Sequence, residues 1–193
     1  PVEPMQNLAE YVHGYPCAPA IRGIKVANLV AIPRNVDTMV ASVLSDYNTQ
    51  FNPKGLHFYE LCHCKERRLL LVYRKKMLDD YLRQPGHMAF LKRYGYDARE
   101  SLEAWLVRLR RRVETEVDFP HEIGLFLGYP LVDVKAFIAS KGNGYKLCGE
   151  WKVYENQVSA MRSFYCFRVC REFCHTELLN GKALGALVAA TAC

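Results

Sequence analysis

Two residues of this sequence could form a nucleophile and its base, Cys17 and His121. Cys17 stands directly before Ala18-Pro19, where a proline in the first turn predicts the start of a helix. The amide groups and the dipole at a helix N-terminus favour a thiolate, so we expect a lowered pKa for this thiol. His121 stands where the pattern predicts the start of a strand, from which an imidazole could reach a nucleophile on a neighbouring helix.

This pair predicts a thiol-dependent hydrolase or acyl transferase, with Cys17 as the nucleophile and His121 as the base. A helix-borne cysteine followed by a strand-borne histidine resembles papain-like enzymes in outline, although a predicted helix here separates the histidine strand from the next strand. Glu150 is the predicted third group that orients the imidazole, and Glu122 is the other candidate. The competing interpretation is that Cys17 is a buried core thiol and His121 a strand-end histidine bonded to backbone.

A second, non-catalytic hypothesis is a domain that binds a small ligand, a metal or a protein through the face around His121, Trp151 and Lys152. If the polar face of the late strand around residues 150–154 lines a cleft, the cleft could hold a small anionic or aromatic ligand. The competing interpretation is a solvent-facing edge strand whose lysine discourages aggregation. The predicted ligand-binding residues are Lys25, Asn28, Glu122, Trp151, Lys152 and Tyr154.

The cysteines favour an apolar core over a metal site, although two cysteines one turn apart on a helix could chelate a soft metal with a cysteine from elsewhere in the chain. Cys166, Cys170 and Cys174 share one stripe of a predicted helix, but the usual zinc spacing with two intervening residues is absent. Neighbouring phenylalanines favour an apolar core that contains small sulfur side chains. In the run 62–64 the two cysteines would share one strand face and the histidine the other, so the three could bind one ion only at a bulge or turn.

Two further motifs are incomplete. His121-Glu122 is not a zinc-protease signature, because the residue four positions beyond His121 is Leu125 rather than a second histidine. No GxGxxG or GxxxxGK pattern marks a phosphate-binding loop, so standard nucleotide binding is disfavoured and the sequence identifies no cofactor.

Composition predicts one folded domain over residues 1–193, with half of the residues hydrophobic and 24% charged. The net charge of +6 lies largely in two clusters, 65–76 and 108–112, but no recognition motif accompanies it, so nucleic-acid binding is not expected. A small molecule or a protein is the expected partner. Neither a signal peptide nor a run long enough to cross a bilayer is present, and the eight cysteines fit thiols in a reducing cytosol.

The hydrophobic pattern predicts helices first and a β-hairpin next. Apolar spacing predicts a helix after Pro19 that ends at Pro33, and a second helix capped by Asn35 that ends near 52–53. The runs 56–62 and 69–73 flank a charged turn and predict the hairpin. Further helices are predicted over 77–82, over 88–94 and after 97, where Asp97 and Glu100 suggest a capping box.

The remaining chain predicts a strand-helix-strand unit followed by a long helix. Alternating Ile123, Leu125 and Leu127 predict a buried strand, Pro130 begins a helix through Ile138, and the run 147–154 alternates as a single strand. A right-handed crossover would follow if the two strands paired in parallel. The long helix spans about 156–179. The predicted fold class is therefore α+β, a small sheet of about four strands packed with several helices.

Four segments resemble a known family: CAPAIRGIKVANL (17–29), LLLVYR (69–74), FPHEIGLFLGYPLVDVKAFI (119–138) and GEWKVYEN (149–156). The chain is similar, in this order and over nearly its whole length, to a bacterial family of unknown function that is common in anaerobic Gram-positive species. The resemblance implies a cytosolic bacterial protein. It brings no activity and no catalytic residues.

Overall fold

The structure is a computed structural model that describes residues 16–33, 40–63 and 67–189. The strands are β1 (Ala27–Pro33), β2 (Leu56–His63), β3 (Arg67–Arg74), β4 (Leu147–Cys148) and β5 (Lys152–Val153). The α-helices are α1 (Ala18–Ile21), α2 (Val40–Phe51), α3 (Lys75–Leu82), α4 (Pro85–Leu91), α5 (Leu102–Thr115), α6 (Ile123–Phe126), α7 (Leu131–Ser140), α8 (Gln157–Leu179) and α9 (Leu184–Leu187). Short 3-10 turns follow α2 and α4, at Asn52–Lys54 and Lys92–Tyr94. This is an α+β fold, as the sequence predicts.

The main sheet has three antiparallel strands in the order β1-β3-β2, and β3 is central. Alternate residues of β3 enter two different hydrophobic cores, because successive side chains of a strand point to opposite faces. Leu71 packs in a first core with Trp105 and Phe126. Leu70 packs in a second core with Ile21 and other residues from the two ends of the chain. Helices therefore cover both faces of the sheet.

Arg74, at the end of β3, ties α1 to distant parts of the chain. Its guanidinium is buried and donates hydrogen bonds to the carbonyl oxygens of Ala20 (2.8 Å), Ile21, Lys54 (3.0 Å) and Ala189 (2.7 Å). A buried charge is tolerated where its donors are satisfied, and the rigid fork of arginine suits several carbonyl acceptors at once. This contact fixes α1 and the turn that follows it against the sheet.

The predicted first helix is wrong beyond Ile21. Gly23 adopts φ +72°, which ends the helix, and the chain continues as β1. Side chains of β1 enter both cores, so apolar residues occur on both faces of the strand and their spacing does not distinguish a strand from a helix. The second predicted helix is confirmed over α2, and its predicted cap, Asn35, lies outside the described residues.

The hairpin of β2 and β3, the helices α3, α4, α5 and α7, and the long α8 are confirmed. The Asp97 amide donates to Glu100 Oε2 at 3.4 Å, as a capping box predicts, but this pair does not begin the helix, because Ser101 caps α5 by accepting a hydrogen bond from the Ala104 amide at 3.2 Å. The Asp97 carboxylate pairs with Arg99.

The predicted strand-helix-strand unit is wrong in both of its strands. Residues Ile123–Phe126 form a single helical turn, α6, in which all four residues are buried. The run 147–154 is not one strand but a hairpin, in which Leu147 pairs with Val153 and Cys148 with Lys152. The chain thus follows helix, helix and hairpin, and the sheets contain three plus two strands rather than about four in one. No parallel crossover arises among the described strands.

Across residues 16–33, 40–63 and 67–189, no helix combines the length and the apolar character needed to span a bilayer.

Candidate functional site

Asp133, in the first turn of α7, holds the β4-β5 hairpin in place. Its buried carboxylate accepts three hydrogen bonds, from Trp151 Nε1 (2.8 Å) and from the backbone amides of Tyr154 (2.8 Å) and Glu155 (3.2 Å). Three donors satisfy a carboxylate that would otherwise be costly to bury. The turn of the hairpin is thereby fixed over α7.

A cavity of about 330 Å³ lies between α6, α7 and this hairpin, and we call it the aromatic cavity. Its apolar lining consists of Ile123, Gly124, Tyr129, Val134, Phe137 and Trp151. Its polar lining consists of His121, Asp133, Cys148, Gly149, Glu150 and Lys152. An apolar, aromatic wall with a few polar groups is the usual make-up of a small-molecule site.

The rings of the aromatic cavity are held by contacts with one another. Trp151 lies 5.3 Å from Tyr129 and 4.6 Å from Phe164, centroid to centroid, and the second contact is edge-to-face. His121 makes an edge contact with Phe137 at 5.1 Å. Such offset and perpendicular contacts stabilise ring orientation, so the cavity has a fixed shape before any ligand enters.

Gly149 allows the hairpin turn to lie against α8. A β-carbon at this position would come within 2.3 Å of the Phe164 ring, closer than any side chain tolerates. The absent side chain therefore lets the turn, and Trp151 with it, pack onto Phe164.

Lys152 is the cation of the aromatic cavity. Its ammonium donates to the Gly142 carbonyl at 2.8 Å and lies over the rings of Tyr145 (4.7 Å) and Phe137 (5.7 Å). An ammonium has three donors, so this placement positions a charge beside the cavity while leaving capacity for an anionic group.

A second cavity of about 390 Å³ lies on the other side of Tyr129 and Glu150, which line both cavities. We call it the lysine cleft. Its remaining lining residues are Pro16, Lys25, Asn28, Leu29, Leu127 and Arg171.

In the lysine cleft, Glu150 forms hydrogen bonds with Arg171, whereas Lys25 lies farther from this carboxylate. Both oxygens of Glu150 accept from Arg171, at 2.5 and 2.8 Å, while the Lys25 ammonium is 3.9 Å from Glu150. Lys25 also lies over the rings of Tyr129 (5.4 Å) and Phe167 (5.6 Å). Burial lowers the pKa of Lys25 to about 8, since the charge of Glu150 offsets the loss of hydration only in part and Arg171 lowers it further.

Glu150 remains ionised in this cluster. Burial alone would raise the pKa of its carboxyl, but the hydrogen bonds and charge of Arg171, together with Lys25, outweigh burial and hold the pKa below its usual range. Asn28 also lines the cleft, where its side-chain oxygen accepts from the Ala20 amide at 3.0 Å.

A model of the family described as Protein of unknown function (DUF3793) matches residues 14–188. The chain belongs to this family. The matched region includes both cavities, whose lining residues run from Pro16 to Arg171. No curated protein and no solved structure matches the chain.

In this DUF3793 chain Cys17 and His121 lie in different surroundings. Cys17 is fully buried in the second core and lines neither cavity, whereas His121 is exposed at the aromatic cavity. The expected lowering of the Cys17 pKa is wrong in direction. Burial raises the pKa to about 12 despite the positive charges of Lys25 and Arg171, and α1 is a single turn with a small dipole.

Two other predicted site residues serve the fold. Glu122 is completely buried, where Arg112 Nε pairs with it at 2.5 Å and the Tyr96 hydroxyl donates to it at 3.3 Å. The Tyr154 hydroxyl oxygen accepts a hydrogen bond from Ser140 Oγ at 3.2 Å, and Tyr154 lines neither cavity. The predicted residues Trp151, Lys152, Glu150 and His121 do line the aromatic cavity, and Lys25 and Asn28 line the lysine cleft.

Sequence reasoning missed Asp133, Phe137 and Arg171. Asp133 lies three positions after Pro130, in the first turn of a predicted helix. Acidic residues are common in a first turn, so this position did not suggest a functional role. Within the described ranges, no three His, Cys, Asp or Glu side chains are grouped closely enough to hold a metal ion.

Proposed function

We propose that this chain is a small-ligand-binding domain, and that the aromatic cavity takes a flat aromatic molecule with one anionic group. The observation that carries the proposal is a cavity of about 330 Å³ whose aromatic rings are fixed by mutual contacts and whose cation is Lys152. Flat rings complement the faces of Trp151 and Tyr129, and the ammonium complements a carboxylate. A cytoplasmic location, a bacterial source and a thiol-enzyme activity remain predictions of the sequence.

The chain contains two tryptophans, and their different positions provide a direct measurement. Trp105 is wholly buried in the first core, whereas Trp151 lines the aromatic cavity. We expect naphthoate to quench the Trp151 fluorescence in a saturable manner, and the neutral naphthalene carboxamide to bind at least about ten times more weakly. A Trp151→Phe variant should lose the signal.

Lys152→Met tests the charge, because it keeps the aliphatic stem and removes the ammonium. We expect it to weaken naphthoate binding about ten-fold or more and to leave the carboxamide unchanged. Lys146→Met is the matched control, since Lys146 is exposed and lines neither cavity. Equal loss in both lysine variants, or no saturable quenching by either probe, would overturn the proposal.

A further inference from the structure

Lys25 is a buried amine that the aromatic-cavity hypothesis does not use. Its side chain is only 6% exposed and lines the lysine cleft. In the described part of the chain its ammonium forms no hydrogen bond, and its nearest carboxylate, Glu150, is 3.9 Å away and already bound by Arg171 through both oxygens. An ammonium lacking hydrogen bonds at the wall of a cleft is poorly stabilised, so its neutral form is favoured.

We propose that Lys25 is a nucleophilic amine that forms an imine with a small aldehyde or ketone in the lysine cleft. The ammonium first releases a proton to solvent. The amine nitrogen then attacks the carbonyl carbon, and loss of the carbonyl oxygen as water leaves a C=N bond, with no oxidant or reductant required. A lysine that is desolvated in a pocket, or that lies beside another cation such as Arg171, is a recognised setting for an imine-forming amine.

The surroundings favour this chemistry over simple ion pairing. Burial removes water from the ammonium, and this loss outweighs the charge of Glu150, whose oxygens Arg171 binds, although the rings of Tyr129 and Phe167 also attract the ammonium. The pKa of about 8 gives a substantial share of free amine near neutral pH, whereas an exposed lysine remains almost wholly protonated there.

Formaldehyde with cyanoborohydride tests the amine, because the smallest aldehyde can enter the cleft and the reductant traps each imine as a methylated lysine. Peptide mapping of the intact folded chain measures each lysine separately. We expect Lys25 to be modified at least about ten times faster than the exposed Lys146 at neutral pH, with a rate that rises through a midpoint near pH 8.

Glu150→Gln provides the second measurement. It removes the charge that supports the ammonium, so the midpoint should move to lower pH, whereas Glu155→Gln should leave it unchanged, because Glu155 is not among the charges that shift the pKa of Lys25. Modification of Lys25 no faster than that of Lys146, or an identical midpoint in wild type and Glu150→Gln, would overturn the proposal. Naphthoate binding is scored separately, so either proposal can fail alone.

A different observation concerns the outer face of α8. Five large apolar side chains, spaced three or four residues apart, form an exposed row, which we call the α8 stripe: Val158, Met161, Tyr165, Val169 and Phe173. They are 42–62% exposed. The core-facing residues Ala160, Phe167 and Cys174 lie on the opposite side of the same helix. A contiguous apolar row on the solvent side of a helix is typical of an interaction surface.

We infer that the α8 stripe packs antiparallel against the α8 stripe of a second copy of this chain. An antiparallel pair about a two-fold axis at the level of Phe167 places Tyr165 opposite Val169 and Met161 opposite Phe173. The same axis places Arg162 opposite Glu172 on both sides. Both charged residues are exposed. One two-fold axis therefore pairs the apolar residues and also the opposite charges, and this match favours a second copy of the chain as the partner.

Sedimentation of the purified chain tests this pairing. We expect a dimer at about 100 μM protein, and a Tyr165→Asp variant to dissociate it at least about ten-fold more readily. Val117→Asp is the matched control, because Val117 is fully exposed in the loop after α5.

Charge exchange then tests the register. Arg162→Glu and Glu172→Arg should each weaken the dimer, because each creates two like-charge contacts, and an equimolar mixture of the two variants should restore it. A monomeric wild type, equal effects of Tyr165→Asp and Val117→Asp, or a mixture no tighter than either variant would overturn the inference.

Discussion

The aromatic cavity and the lysine cleft share Tyr129 and Glu150, yet they are assembled in opposite ways. The lining of the aromatic cavity comes from one continuous stretch, 121–152, and the polar groups in it largely serve structure: Asp133 binds three donors and Lys152 binds a carbonyl. The lysine cleft draws on distant segments of the chain and contains an amine without a hydrogen bond among the described residues.

The difference separates recognition from reactivity. A cavity whose polar groups are satisfied offers a fixed shape and one ammonium group, which suits binding. A cleft that desolvates a lysine and offsets the lost hydration only in part favours the neutral amine, which suits chemistry on that lysine. The following variants test the aromatic cavity and the lysine cleft separately.

Asp133→Ala should have the largest effect, because it leaves three donors of the hairpin without their acceptor. We expect a loss of about 4 kcal/mol in the free energy of unfolding, from two amides and one indole N–H that lose a charged partner. Urea unfolding measures the loss, and the Trp151 emission should shift to the red. Asp133→Asn keeps an acceptor and should lose less, and the exposed Asp118→Ala should lose little. Equal stability of Asp133→Ala and Asp118→Ala would contradict the role of Asp133.

How far the sequence predicts these two sites follows from how each is built. Trp151, Lys152 and His121 could be predicted because residue type and neighbourhood in the sequence suggested a ligand face, and the cavity is indeed local. The secondary structure of the segments around these residues could not be predicted. Residues 123–127 are all buried, so the alternation of Ile123, Leu125 and Leu127 does not distinguish a strand from one helical turn.

The prediction of a single strand over residues 147–154 failed for a related reason. The alternation of these residues is real, but the chain reverses at Gly149, where the Phe164 ring occupies the space of a side chain, and that ring comes from a helix later in the sequence. The lysine cleft was harder to predict from the sequence. Its cluster depends on Arg171 meeting Glu150 across the fold, and no local pattern announces a contact between residues so far apart.

Lys25→Met should have the next largest effect, and it should increase the free energy of unfolding at neutral pH. The folded-state pKa of Lys25, about 8, lies below the unfolded value of 10.5, so the folded chain binds fewer protons between these values. Wild-type stability therefore rises with pH through this window relative to the methionine variant. The shift corresponds to a penalty of about 3 kcal/mol below pH 8 that fades towards pH 10.5. A stability difference between the two proteins that is constant over this window would contradict a desolvated lysine.

Gly149→Ala should have a smaller effect that is specific to the aromatic cavity. The added β-carbon would meet the Phe164 ring at 2.3 Å, so the turn or the ring must shift, at a cost of about 2 kcal/mol. We expect weaker naphthoate binding and unchanged modification of Lys25. Gly86→Ala is the control, because its β-carbon meets only Leu131 at 3.5 Å, an ordinary contact. Equal effects of both substitutions would argue against a tight turn at Gly149.

Cys17→Ala should have the smallest effect on either site. The thiol lines neither cavity, and a pKa of about 12 leaves almost no thiolate at neutral pH, so removal of the sulfur should change neither naphthoate binding nor Lys25 modification. A thiol-specific reagent at mildly acidic pH should label the exposed Cys148 and Cys166 well before Cys17. Preferential labelling of Cys17 would instead support the thiol-enzyme hypothesis. It would require α1 to open away from the second core, because no reagent reaches a sulfur that is 0% exposed.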